Sequence, residues 1–363
     1  MKLFNCQKCG QLLYFENTRC VNCQSPLGFH APAMNLLALV AKSDDTFNAY
    51  GQEESRLRYC HNAQYQACNW LLPADSTEEF CEACQLNQTV PYLANEQNLK
   101  LWRKLEVAKH RLIYSLRQLG LPTESKDQQP DTGLAFDFLA DQSLPSGQVQ
   151  RVMTGHADGL ITINISEADD ALRVQAQQSM GERYRTLLGH FRHEVGHYYW
   201  NLIVLDTPYL AAFRTLFGDD RQDYGEALKR HYAQGAPENW SANFISAYAS
   251  SHPWEDWAET WAHYLHMIDT LGTAYAFGLH VAPRAADDSR MAATIDHDPY
   301  QTVDFDLLYA QWLPLTVAMN SINRSMGQPD LYPFVIPPPV VKKLKYVHTV
   351  CQAATTAKPR TQC

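Results

Sequence analysis

Beyond residue 95 the order of apolar and polar positions names the elements of this chain. Leu101, Trp102, Leu105, Leu112, Ile113 and Leu116 recur at helical spacing until Gly120, which predicts an amphipathic helix with its stripe in a core. Residues 121–150 are rich in Pro, Asp, Gln and Ser and read as a loop holding one short apolar piece, Phe136–Leu139. Gly159–Ile165 alternates like a half-buried strand. That strand either offers an open edge to an extended peptide or lies inside a small sheet.

Ala171–Leu205 is helical in composition apart from Gly181, Gly189 and Gly196. At Gly196 a missing side chain would let another element approach closely, simple tolerance of glycine being the alternative. Pro208, Gly218, Gly235 and Pro237 break up an aromatic-rich second half. A helix is expected over Trp254–Met267. Another follows the triple proline 337–339, near Val340–Val350, ahead of a polar tail with Cys351 and Cys363.

At 363 residues, with 45 % hydrophobic and 19 % charged residues, the chain suits one sizeable domain plus small modules. Its formal charge of -9 argues against general adhesion to nucleic acid or anionic lipid, which needs a cationic surface. Acids also outnumber Lys and Arg by about three over the first ninety residues. Neither a signal-peptide core nor a stretch of about twenty apolar residues occurs, so a cytoplasmic protein without a membrane partner is expected.

Eight of the ten cysteines fall within the first 84 residues, in patterns that suit metal and a reducing compartment. Cys6-x2-Cys9 and Cys20-x2-Cys23 can each form a knuckle whose sulfurs point at one tetrahedral zinc ion. Without such a staple a ribbon this short would not fold. The second cluster is looser: Cys81 and Cys84 form a knuckle, while Cys60 and Cys68 must be brought together by the fold. Unpaired core cysteines are the alternative there, and His61 is a substitute ligand.

The chemistry in the middle of the chain is carried by His193-Glu194-Val195-Gly196-His197. Two histidines four apart on a helix share a face and can hold one ion, with Glu194 alongside to take a proton from water and hand it to a leaving amine. The extended metzincin pattern would need a histidine where Ile203 stands, so that subclass is excluded. In the run Tyr248–Glu259, Glu255 and Glu259 lie one helical turn apart, with Ser251 and Pro253 as start signals. His190, His252, His263 and His266 read as bystanders, although His263 or Glu259 becomes the third ligand if Glu255 faces away. His156, Asp158 and the acids 167–170 read as loop and helix N-terminus, without a catalytic role.

The segment resembles the gluzincins, most closely the catalytic domain of lethal-factor-type toxin peptidases, through its E-x-x-x-E and the tyrosine seven residues earlier. That resemblance implies Glu255 as third zinc ligand, Glu259 as the carboxylate orienting a ligand histidine, and Tyr248 as oxyanion stabiliser. Over its whole length the chain is similar to bacterial zinc-binding metallopeptidases with an N-terminal zinc ribbon. The expected architecture is α+β: a zinc ribbon over 1–30, a second Cys-rich zinc module over 31–94, and a mainly helical zincin-like domain with a small sheet over 95–350, then the tail 351–363. The expected activity is zinc-dependent hydrolysis of a peptide or protein, with one catalytic and one or two structural zinc ions. The competing class is a zinc-ribbon adaptor for protein or nucleic acid with a non-catalytic central zinc; a peptidase guided by nucleic acid runs against the acid excess of the Cys modules. Nothing in the residues fixes substrate sequence or oligomeric state.

Overall fold

Paired cysteines, rather than long apolar runs, supply cohesion at the start of the chain, so its strands are short. The computed structural model describes residues 2–143, 148–180, 186–284 and 289–356. Strands β1 (Phe4–Asn5) and β2 (Leu12–Leu13) make a hairpin around the first knuckle. Strands β3 (Leu27–His30), β4 (Asn35–Ala41), β5 (Phe47–Ala49), β6 (Leu57–Tyr59) and β7 (Leu71–Pro73) form a five-stranded antiparallel sheet in chain order. The hairpin β3–β4, with Leu27 opposite Ala38 and His30 opposite Asn35, spans residues 30 and 31. This sheet runs from just after the first cysteine cluster to the second, and both clusters belong to one core.

After β8 (Asn87–Thr89), the Asn95 side chain accepts from the backbone N–H groups of Gln97 and Asn98 and starts helix α1 (Glu96–Gln118). Its stripe Leu101, Trp102, Leu105, Leu112, Ile113 and Leu116 is buried, as the spacing predicts. Tyr114 on α1 packs into the ribbon core, 5.1 Å from Phe15 and 5.9 Å from Phe29 between ring centroids.

The apolar piece expected inside a loop is strand β9 (Ala135–Leu139), a central member of a mixed sheet. A small hairpin, β10 (Gln142–Ser143) with β11 (Val149–Gln150), follows it. Then β12 (Gly155–Ala157) pairs antiparallel with β13 (Leu160–Asn164), which runs parallel to β9, while β8 flanks β9 on its other side. The strand expected over Gly159–Ile165 is thus interior, and the edges fall to β12 and β8. Ile161 and Ile163 on one face of β13 are buried, as are Phe136 and Phe138 of β9, while Leu160 and Thr162 between them are only partly covered.

The remaining chain is mostly helix: α2 (Asp170–Met180), α3 (Leu187–Ile203), α4 (Leu210–Phe217), α5 (Tyr224–Gln234), α6 (Pro253–Ala276), α7 (Phe305–Ser325) and α8 (Pro338–Thr356). Strands β14 (His280–Val281) and β15 (Ala293–Thr294) form a hairpin between α6 and α7. Of the three glycines expected to need a reason, Gly181 lies outside the described residues. Gly196 has one: a Cβ there would sit 3.1 Å from Ala258 Cα and 3.1 Å from Trp261 Cδ1. This is the close approach of two helices, and Trp257 Nε1 fastens it by donating to Gly196 O at 2.8 Å. The last helix outruns its expected end, so Cys351 is buried within α8 instead of lying in a polar tail; Cys363 lies outside the described residues. A buried ion pair, Lys343 Nζ to Asp256 Oδ2 at 2.6 Å, joins α8 to α6. Among the described residues no helix is long and apolar enough to cross a membrane.

Candidate active site

Thr186 caps α3 by accepting from the backbone N–H of Gly189 at 3.0 Å, and the helical period then sets His193 and His197 on one face. On α6 the cap is His252, whose Nδ1 accepts from Trp254 N at 3.0 Å, rather than Ser251; Pro253 occupies the first turn as expected. Two residues on, Glu255 points across the helix contact. Its Oε2 lies 3.0 Å from His193 Nε2 and 3.6 Å from His197 Nε2. One ligand atom from each of the three side chains falls within 4.8 Å of the others.

The other ends of these groups are held. His193 Nδ1–H donates to Glu259 Oε1 at 2.7 Å, and Tyr224 O–H donates to Glu255 Oε1 at 2.6 Å. That leaves Glu255 Oε2 buried with no hydrogen-bond donor among the described residues. A buried, unpaired carboxylate oxygen is costly unless something positive meets it. Burial works against the charged form of Glu255, yet the His197 charge and the His193 contact hold its pKa well below the usual carboxylate range. Two imidazole nitrogens, one carboxylate oxygen and outer partners that fix ring and carboxylate fit a catalytic zinc with an open coordination position.

Tyr248 lies beside this group, its ring centroid 6.1 Å from that of His193. Burial, with Glu255 nearby, raises its pKa, so the phenol keeps its proton. Glu194, buried next to the imidazoles, is an anion: burial opposes this, but the His190 hydrogen bond and the His190, His193 and His197 charges bring its pKa down to about 2. Trp254 packs on His197 with ring centroids 4.0 Å apart, and His156 on β12 stacks on the same imidazole at 6.3 Å.

Several residues read as bystanders take up places here. His190 contacts Glu194 and Glu167, the second of which the sequence showed only as part of a helix N-terminus. Tyr224, from the separate helix α5, went unnoticed in the sequence because nothing in its spacing relates it to Glu255. His156 likewise joins the site by way of the strand that forms the sheet edge. By contrast, His263 Nδ1 pairs with Tyr332 O–H at 2.7 Å and His266 Nδ1 with Arg192 at 2.5 Å, as helix-packing groups.

The cysteines form two four-sulfur clusters, Cys6, Cys9, Cys20 and Cys23, then Cys60, Cys68, Cys81 and Cys84. Sulfurs approach to 3.6 Å in the first, in the pairs Cys6–Cys23 and Cys9–Cys20, and to 3.7 Å for Cys68–Cys81 in the second. Backbone N–H groups of Trp70 and Cys81 point at Cys68 Sγ and Cys60 Sγ at 3.3 Å each. His61 is not a member; it contacts Gln64 and packs against Phe80. Helix α1 contributes a buried outer layer, with His110 Nε2 3.7 Å and Glu106 Oε2 3.8 Å from Cys84 Sγ. Hydrogen bonds from Cys60, Cys68 and Cys81 hold the Cys84 pKa well below that of a free thiol, despite burial. Four close sulfurs with one held as thiolate fit a structural zinc site.

Residues 98–350 match the family described as "Putative zinc-binding metallo-peptidase", and residues 3–95 match a zinc-ribbon domain. Uncharacterized proteins of Mycobacterium tuberculosis and Mycobacterium bovis are 43 % identical over 351 residues, which covers 96 % of this chain and 95 % of theirs. No solved structure matches the chain. Taken with the convergence of His193, His197 and Glu255, these matches place the chain in that zinc-binding metallo-peptidase family, with a zinc-ribbon domain at its N-terminal end.

Proposed function

We propose that the chain is a peptidase of the gluzincin type, hydrolysing peptide bonds in a peptide or protein at the His193, His197 and Glu255 site. One zinc belongs there and one in each four-cysteine cluster. The observation that carries this reading is the unpaired Oε2 of Glu255, delivered by a distant helix to two imidazoles beside an anionic glutamate. Zinc bound by these three residues supplies a positive charge that polarises the scissile carbonyl and makes water more acidic.

The chain's own residues do the rest. Glu194 accepts the proton of the attacking water and hands it to the leaving amine nitrogen. Tyr248, held protonated, donates to the oxyanion that forms from the carbonyl. Glu259 keeps the His193 proton on Nδ1, so that the Nε2 lone pair faces inward, and Tyr224 fixes the rotation of Glu255. Trp254 and His156 cover the His197 flank and keep bulk water from it.

The test is Glu194→Gln in the full, zinc-loaded chain, assayed on dye-quenched casein and on a mixed peptide digest. The variant should keep its zinc and lose kcat; full activity would refute the mechanism. Absence of turnover by the wild type, combined with salt-sensitive binding to nucleic acid, would favour the adaptor reading instead.

A further inference from the structure

His190 stands one helical turn before His193, and its ring is held between two carboxylates. Nδ1 bonds to Glu167 Oε2, and Nε2 lies 3.2 Å from Glu194 Oε1. An ionised carboxylate can only accept, so both ring nitrogens must carry hydrogen and the ring bridges the two acids as a cation. Glu167 has no freedom to turn away. It sits in a single 3-10 turn directly after β13, and Thr154 Oγ1 donates to its other oxygen while accepting from Asn164 N at 3.1 Å. The line Thr154, Glu167, His190, Glu194 therefore runs from the small sheet to the middle of the zinc-binding motif. Its side chains are largely covered, with exposures of 17 % for Glu167, 21 % for His190 and 8 % for Glu194.

We propose that His190 is a positioning residue for the general base: it pins Oε1 of Glu194, turning Oε2 toward the open side of the His193, His197 and Glu255 group, and Glu167 fixes the imidazole that does so. This rests on the reading of Glu194 as the base. A glutamate held at one oxygen loses rotational freedom about its last torsion, and proton transfer from water is sensitive to that placement. The small sheet thus takes part in the reaction by holding a turn rather than by touching substrate.

The experiment uses the full, zinc-loaded chain with dye-quenched casein and compares wild type, Glu194→Gln, His190→Ala, His190→Gln and Glu167→Gln. His190→Ala should lower kcat on the order of 10–100-fold, the usual effect of removing an outer partner, with KM within about threefold and zinc content unchanged. His190→Gln should recover part of the loss, because its amide can donate to Glu194, and Glu167→Gln should fall between wild type and His190→Ala. In protein labelled with 15N-histidine, the hydrogen-bonded ring proton of His190 should appear far downfield, vanish in His190→Ala and shift in Glu194→Gln. Wild-type kcat in His190→Ala beside an inactive Glu194→Gln overturns the proposal alone. So does a loss of zinc or a raised KM that His190→Gln fails to rescue, since that is a packing role. Equal activity, or none, in wild type and Glu194→Gln removes the base itself and the proposal with it.

Discussion

Replacing Gly196 by alanine tests whether the helix contact really sets the metal site. The new Cβ would lie 3.1 Å from Ala258 Cα, 3.1 Å from Trp261 Cδ1 and 3.2 Å from Trp261 Cγ. Carbon contacts are comfortable at about 3.5–4.0 Å, so α3 and α6 must part by several tenths of an ångström. Little slack exists, because Ala258 and Trp261 are both fully buried. Overpacking of this kind costs roughly 1–3 kcal/mol, whereas glycine to alanine in a helix returns about 1 kcal/mol. The expected net is a loss of up to about 2 kcal/mol, read as a thermal midpoint lowered by up to a few degrees at fixed zinc concentration. Since His197 adjoins Gly196 and Glu255 precedes Ala258 by less than one turn, zinc affinity should weaken as well, by about tenfold in a chelator competition. Calorimetry and the competition together give the answer. A higher midpoint with unchanged affinity would mean that glycine is merely tolerated there and that the contact yields freely.

Elemental analysis should find three zinc ions per chain, falling by one in the His193→Ala, His197→Ala double variant; an unchanged content would place the third ion elsewhere. His110→Ala should weaken zinc binding at the second cluster by about tenfold in a chelator competition, because Cys84 loses a buried imidazole neighbour; equal affinities would deny α1 any part in that site. Burial pushes the His263 pKa down to about 4, with the Glu259 charge only partly opposing. Its folded value lies below the unfolded one of about 6.5, so its contribution is complete above that pH and is lost as pH falls toward 4, on the order of 3 kcal/mol at the lower end. Stability of His263→Gln should therefore fall less than that of wild type over this window, and parallel curves would contradict the assignment.

The helix carrying His193 and His197 and the Tyr248–Glu259 segment were legible because each is local: four residues make about one helical turn, and the chemistry of His and Glu marks it. The knuckle spacing of the cysteines is local in the same sense. What spacing could not show is which distant side chain completes a hydrogen bond. Tyr224 reaches Glu255 from another helix, and Glu167 reaches His190 across a segment with no periodic signal. The expectation of a loop around Phe136–Leu139 failed because a five-residue strand flanked by polar residues looks isolated until β13 and β8 pair with it. Likewise, β4 and β5 carry too few alternating positions to announce that one sheet runs between the two cysteine clusters.

Helix α1 belongs at once to the ribbon and to the helical body. Tyr114 fills the aromatic centre formed by Phe15 and Phe29, His110 lies under Cys84, and Arg111 and Arg117 pair with Glu16 and Glu82. Beneath them Lys109 is wholly enclosed, paired with Glu106 at 2.9 Å. Cutting the chain between the ribbon and the helical part would expose the aromatic contacts of Tyr114 and the enclosure of Lys109 to solvent. Grafting this ribbon onto another enzyme would therefore require rewriting one whole face of the helix it grips, and neither half is a portable unit.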